Sequence, residues 1–175
     1  MKLLLPLLLI ATSTFAQTDC EDFMQLLGRR EINEHVIAFK EQCGPFEESF
    51  NTDGNSKTLS SLEKGISITM VNTAKDQSVT PKYEVFLVEL TSFTGKGGYK
   101  DEWPFGFQMG MDYKMVKKHI KHLKDVTYEK SDLSRKRSYF NYTGKVNDSV
   151  KDREVRVYVS QYDGTSITSL RLRLK

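Results

Sequence analysis

The 175-residue chain carries 26 Lys and Arg against 23 Asp and Glu, a formal charge of +3, and only two cysteines. That length suits one domain or two small ones sharing a core. No segment after the first turns is apolar enough to cross a bilayer as a helix, and no C-x-x-C pair or nucleophile elbow occurs, so a helical membrane-spanning mature chain is excluded and no catalytic signature is left.

In chain order, Met1-Lys2, the apolar run Leu3 to Ile10 and the small residues ending at Ala16 form the pattern of a secretory signal peptide. Cleavage after Ala16 leaves 159 residues for an oxidising compartment, secreted or periplasmic. Cys20 follows Gln17-Thr18-Asp19, which is too polar for a lipidation site. Cys20 and Cys43 are most simply a disulfide, contributing roughly 3 kcal/mol in the chain-entropy model.

Glu21 to Leu27 predicts a short helix ending at Gly28. A second is expected from Glu31 to Gln42, with Ile32, Val36 and Phe39 on one face and Gly44-Pro45 as its stop. Pro45 to Ser56 reads as a loop. Lys57 to Glu63 and Gly65 to Val71 predict strands, with Ile66, Ile68 and Met70 alternating, and Tyr83 to Leu90 predicts a central strand because both its faces are apolar.

The richest stretch is Tyr99 to Leu123. Trp103-Pro104 sets an extended conformation, Gly106 and Gly110 permit tight backbone geometry, and Asp112 is a candidate N-cap for a helix whose Val116, Ile120 and Leu123 share a face. Ser131 to Arg137 then reads as a basic connection and Ser138 to Val146 as a strand. Asp163-Gly164 predicts a tight hairpin in which Val155, Val157 and Val159 lie opposite Leu172, Leu170 and Thr168, with Arg156, Tyr158 and Ser160 opposite Arg171, Ser169 and Ile167 on the other face.

The expected fold is therefore α+β: two tandem helix-then-antiparallel-sheet units, residues 17–96 and 97–175, sharing one sheet or core. The two units differ in charge, 8 Lys and Arg against 13 Asp and Glu in the first and 17 against 10 in the second. Either an acidic partner or complementarity between the units would account for this.

The run WPFGFQMGMDYKMV from Trp103 resembles an L-P-[FY]-G-x3-G-M motif of small exported bacterial proteins, with Leu26-Leu27-Gly28 and Lys64 to Ile68 resembling their first half. Their organisation is similar to that of the β-lactamase inhibitor protein and the small lipoprotein of the outer-membrane assembly machinery. This chain departs from the motif at Trp103 and Asp112, and it adds the cysteine pair. The resemblance implies a non-catalytic protein that binds or inhibits another through a sheet face.

Side-chain chemistry adds little. His119 and His122 have a spacing that chelates transition metals only with a third ligand, and four neighbouring lysines oppose a cation, so neither a metal nor a cofactor is assigned. Two sequons, Asn141-Tyr142-Thr143 and Asn147-Asp148-Ser149, carry no assignment. The candidate binding residues are Arg156, Tyr158, Arg171 and Arg173, extended by Arg135 and Arg137, because arginine and tyrosine suit protein contact. The expected partner is an acidic protein surface rather than nucleic acid. A structural envelope protein aiding membrane assembly or stability is the alternative.

Overall fold

Strand alternation builds one sheet with a buried and an open side. The computed structural model describes residues 20–75, 80–132, 137–150, 153–162 and 166–175. The expected signal peptide, Arg135 and the tip of the last hairpin lie outside them. In chain order come α1 (Cys20–Leu26), α2 (Glu34–Cys43), β1 (Glu47–Phe50), β2 (Ser56–Ser61), β3 (Ile66–Asn72), β4 (Tyr83–Thr91), a 3-10 turn (Pro104–Gly106), α3 (Tyr113–Ile120), β5 (Val126–Asp132), β6 (Arg137–Tyr142), β7 (Val155–Tyr162) and β8 (Ser166–Leu174). The strands form one antiparallel sheet in the order β1-β2-β3-β4-β8-β7-β6-β5. The mixed α/β expectation thus holds, and Tyr83 to Leu90 is central as expected.

One side of the sheet presents Leu59, Ile66, Ile68, Met70, Val85, Val88, Leu90, Val155, Val157, Val159, Leu170 and Leu172 to a single core. Phe23, Leu26 and Leu27 of α1 and its end, Val36 and Phe39 of α2, and Val116 and Ile120 of α3 cover it. The stretch around Trp103 is packed into this core. Phe39, Phe23, Tyr99 and Trp103 form a chain of edge-to-face rings with successive centroids 5.7, 5.8 and 5.6 Å apart. Asp112 caps α3 by accepting from Met115 N at 2.7 Å.

Several expectations need correction. The second helix starts at Glu34 behind an Asn33 cap, and Ile32 is 80% exposed. Residues 28–31 are instead tied to β4, with Gly28 N donating to Val85 O, Val85 N to Arg29 O and Glu31 N to Tyr83 O at 2.8–3.0 Å. Backbone committed to a strand edge cannot wind into a helix. The expected loop over 45–56 contains β1, whose four residues are all exposed, so no apolar alternation marked it. Ser131 and Asp132 end a strand, β5, rather than beginning a connection. The strand expected over 138–146 ends at Tyr142, because Val146 and Asn147 turn back to pack against α1.

The last hairpin is shifted by two residues. Val155, Val157 and Val159 face Leu174, Leu172 and Leu170, and Arg156 and Tyr158 face Arg173 and Arg171. Tyr162 pairs with Ser166, which sets the register at the end of the strands one residue off that of a two-residue turn, and a bulge between Ser160 and Gln161 supplies the second residue of the shift. A shift of two preserves the faces. Beyond the bulge the faces exchange, which puts Ile167 in the core opposite Gln161 instead of on the open side.

Candidate functional site

The uncovered side of the sheet carries polar and aromatic side chains where the covered side carries Val and Leu, and no described helix packs on it. All four candidate residues lie there and the register brings them together: Arg156 sits directly opposite Arg173, and Tyr158 opposite Arg171. Arg137 lies in the neighbouring strand, opposite Ser160. Tyr158 meets Tyr139 edge to face at 5.2 Å.

Two of the arginines have acidic neighbours. Arg156 Nη2 donates to Glu129 Oε1 at 2.9 Å, and Asn141 Nδ2 donates to the same oxygen at 2.7 Å. The Asn141 amide first, then Arg156 and Lys175, hold the Glu129 carboxyl below its ordinary value of 4.5, against a smaller opposing effect of burial. Arg171 Nε lies 2.7 Å from Glu89 Oε1, an ion pair by distance that lacks the alignment of a hydrogen bond. Arg173 is exposed, stacks over the Phe86 ring at 4.9 Å and has no carboxylate within ion-pair distance among the described residues. The face therefore gathers arginines of which Arg156 and Arg171 have a carboxylate partner and Arg173 has none among the described residues.

No protein-family model, no curated protein and no solved structure matches the chain.

The histidine pair is occupied by backbone. His119 Nε2 lies 2.7 Å from Phe105 O, which requires the proton on that nitrogen, and its ring stands 5.0 Å from Phe107. His122 Nδ1 lies 2.7 Å from Lys118 O. Among the described residues no cluster of three or more His, Cys, Asp or Glu is placed to hold a metal. Cys43 is buried at the end of α2, while the Cys20 side chain lies outside the described residues.

A half-open cleft of about 500 Å³ lies where α1, the 3-10 turn, β6 and the 145–148 segment meet. Arg29 lines it, held through Nε to Gln25 O at 2.6 Å, beside Phe105, Tyr142 and Lys145. Phe105 has φ 63°, rare for a bulky residue, and its ring is clamped between Phe140 and Tyr142, each with its centroid 5.4 Å away. Gly106 and Gly110 have the positive φ that their residue type permits, whereas the left-handed Phe105 carries no local sequence signal.

Asn147 closes the base of this cleft. Its Nδ2 donates to Met24 O, Gln25 O and Leu27 O at 3.1, 3.3 and 2.9 Å, capping the carbonyl end of α1 from 120 residues away, while Oδ1 accepts from Ser149 N at 2.8 Å. Both sequons are thereby accounted for. Asn141 and Asn147 are each 6% exposed with the amide nitrogen already bonded, so this fold presents neither to a glycosylating enzyme.

Lys57, the one charged side chain among the described buried residues, is structural. It is sandwiched by Glu31 Oε1 at 2.6 Å, Glu48 Oε1 at 3.0 Å and the Tyr83 ring at 4.7 Å, joining β1 and β2 to the segment that precedes α2. Burial opposes both charges, but the Lys57 and Lys40 ammonium groups outweigh it and hold Glu31 below 4.5, and Glu31 and Glu48 likewise raise Lys57 above 10.5. The Glu31 contribution is complete above pH 4.5 and lost as pH falls through its lower folded value. The Lys57 contribution is complete below pH 10.5 and lost as pH rises through its higher one. Glu31→Gln is expected to cost about 1–3 kcal/mol at neutral pH, with the gap to wild type closing on acidification. Urea titrations across pH 3 to 7, an interval of about four units set by the carboxylate range, check both points. A pH-independent gap would show that the pair is not the source of the loss.

Proposed function

We propose that the protein is a secreted or periplasmic, non-catalytic module that binds an acidic protein surface through the open face of its sheet. The observation that carries this reading is the direct opposition of Arg156 and Arg173 on an uncovered face. Arg156 is already paired with Glu129, so what this face leaves for an acidic partner is Arg173, exposed, without a carboxylate of its own among the described residues and facing another arginine across the strands. Tyr158 and Arg171 beside them supply the planar, area-rich contacts that dominate protein interfaces.

The two meanders β1 to β4 and β5 to β8, each preceded by helix and meeting at β4 and β8, support a tandem of one helix-then-sheet unit. That order is also what the resemblance to β-lactamase-inhibitor-like proteins implies. A Cys20–Cys43 disulfide is part of the same proposal, since both residues bound the helical segment at its start and end.

Arg173→Gln gives a test that needs no partner. Relief of the repulsion is expected to leave stability unchanged or raise it by a few tenths of a kcal/mol, although a surface cation–π contact is lost. A loss above about 1 kcal/mol in urea denaturation would make Arg173 a structural residue and remove the argument. The functional test is a pull-down from the host envelope and medium with the mature chain and with an Arg156→Glu/Arg171→Glu/Arg173→Glu variant. Binding that survives the triple reversal overturns the assignment of the face. For an identified partner, Arg171→Ala is expected to weaken affinity about tenfold.

A further inference from the structure

We propose that the outer side of α3 is an electrostatic docking surface for an anionic lipid membrane, independent of the sheet face. Val116 and Ile120 fasten one side of α3 to the core. Lys114, Lys117, Lys118 and Lys121 recur at i, i+3, i+4 and i+7 on the outward side, and Lys124 follows; all five are exposed.

Charge complementarity within the fold does not account for them. Lys40, Lys57, Lys96, Lys145 and Lys175 each have a carboxylate within 4.0 Å; Lys64, Lys75, Lys82 and Lys100 have none among the described residues but stand singly in connecting segments, whereas on and just after α3 five such lysines lie together. The basic excess of the second half is met across the halves by Arg153 with Glu84 and Arg171 with Glu89, which are on β4 and not near α3. Of the acids beside α3, Asp112 is engaged in capping and Asp125 is exposed in the segment after the helix. Helix-dipole compensation explains cations in the last turn, Lys117 and Lys118, but not Lys114 in the first turn, where a positive charge is unfavourable.

The choice of residues favours lipid over protein. The patch has no arginine fork and no exposed aromatic ring; lysine is a mobile point charge, suited to a diffuse layer of headgroups rather than a shaped epitope. Met115, on α3 itself and 52% exposed, adds a flexible apolar side chain able to enter the headgroup boundary.

The test is sedimentation of the chain from Gln17 onward, which contains every described residue, with phosphatidylcholine vesicles that contain or lack phosphatidylglycerol. Binding is expected only to the anionic vesicles and is expected to fall as salt rises. Each lysine is worth roughly fivefold in partitioning, so Lys117→Gln/Lys118→Gln/Lys121→Gln should weaken binding about a hundredfold with no change in melting temperature, while the corresponding triple Lys→Arg variant binds as wild type. The Arg156→Glu/Arg171→Glu/Arg173→Glu variant should bind these vesicles undiminished. The proposal is overturned by equal binding to neutral vesicles, by no binding to anionic ones, by retention in the Gln variant, or by heparin holding the protein more tightly than the vesicles do.

Discussion

Gly65→Ala is expected to cost more than about 3 kcal/mol, enough to lower the melting temperature by roughly 10 °C or to prevent folding. Two independent penalties coincide there. The residue has φ +66°, which a side chain resists, and a Cβ would be driven onto Thr91 O and Tyr99 N. Neither neighbour can yield, because both belong to backbone that is already bonded: Thr91 N donates to Gly65 O and Tyr99 N to Thr91 O, each at 2.8 Å. This crossing pins the chain leaving β4 against the turn between β2 and β3 and so fixes where Tyr99 and Trp103 enter the core. Thermal and urea unfolding read the effect directly. A variant melting within about 2 °C of wild type would mean that the two segments do not cross as described.

Asn147→Ala is the second large effect, at about 2–3 kcal/mol. The lost side chain satisfies three carbonyls at the end of α1, one of these bonds being buried and so the one whose loss costs most. Asn147→Asp is expected to be at least as damaging, since it keeps the acceptor for Ser149 N but turns an oxygen toward those carbonyls. Urea denaturation of the two variants separates the contributions. If alanine costs less than about 0.5 kcal/mol, the cap is dispensable and α1 is held by Phe23, Leu26 and Leu27 alone.

These two residues mark the boundary of what sequence reading reached. The Asp112 cap, the Val116 and Ile120 side of α3 and the alternation in β3, β7 and β8 were legible, because caps and periodicity are local consequences of hydrogen bonding and burial. The grouping of Arg156, Tyr158, Arg171 and Arg173 on one face was legible for the same reason. Before the bulge, a register error of two residues leaves each side chain on its face, so the composition of the cluster survived even though the assigned partners did not. Strand β1 was not legible because its side chains are all exposed, and residues 28–31 were not because their backbone bonds to β4 across more than fifty positions.

The sequence by itself determined which residues alternate between core and solvent, where α3 begins, and that the basic charge lies in the second half. Only the tertiary structure decided that Arg156 stands against Arg173, that Asn147 caps a helix 120 residues earlier, that Phe105 adopts a left-handed conformation, and that the lysines of α3 have no carboxylate within ion-pair distance among the described residues while Lys57 has two. The division has one physical cause. Periodicity and capping depend on neighbours within a turn or a strand, whereas pairing, close approach and charge neutralisation depend on which distant backbone the sheet brings alongside.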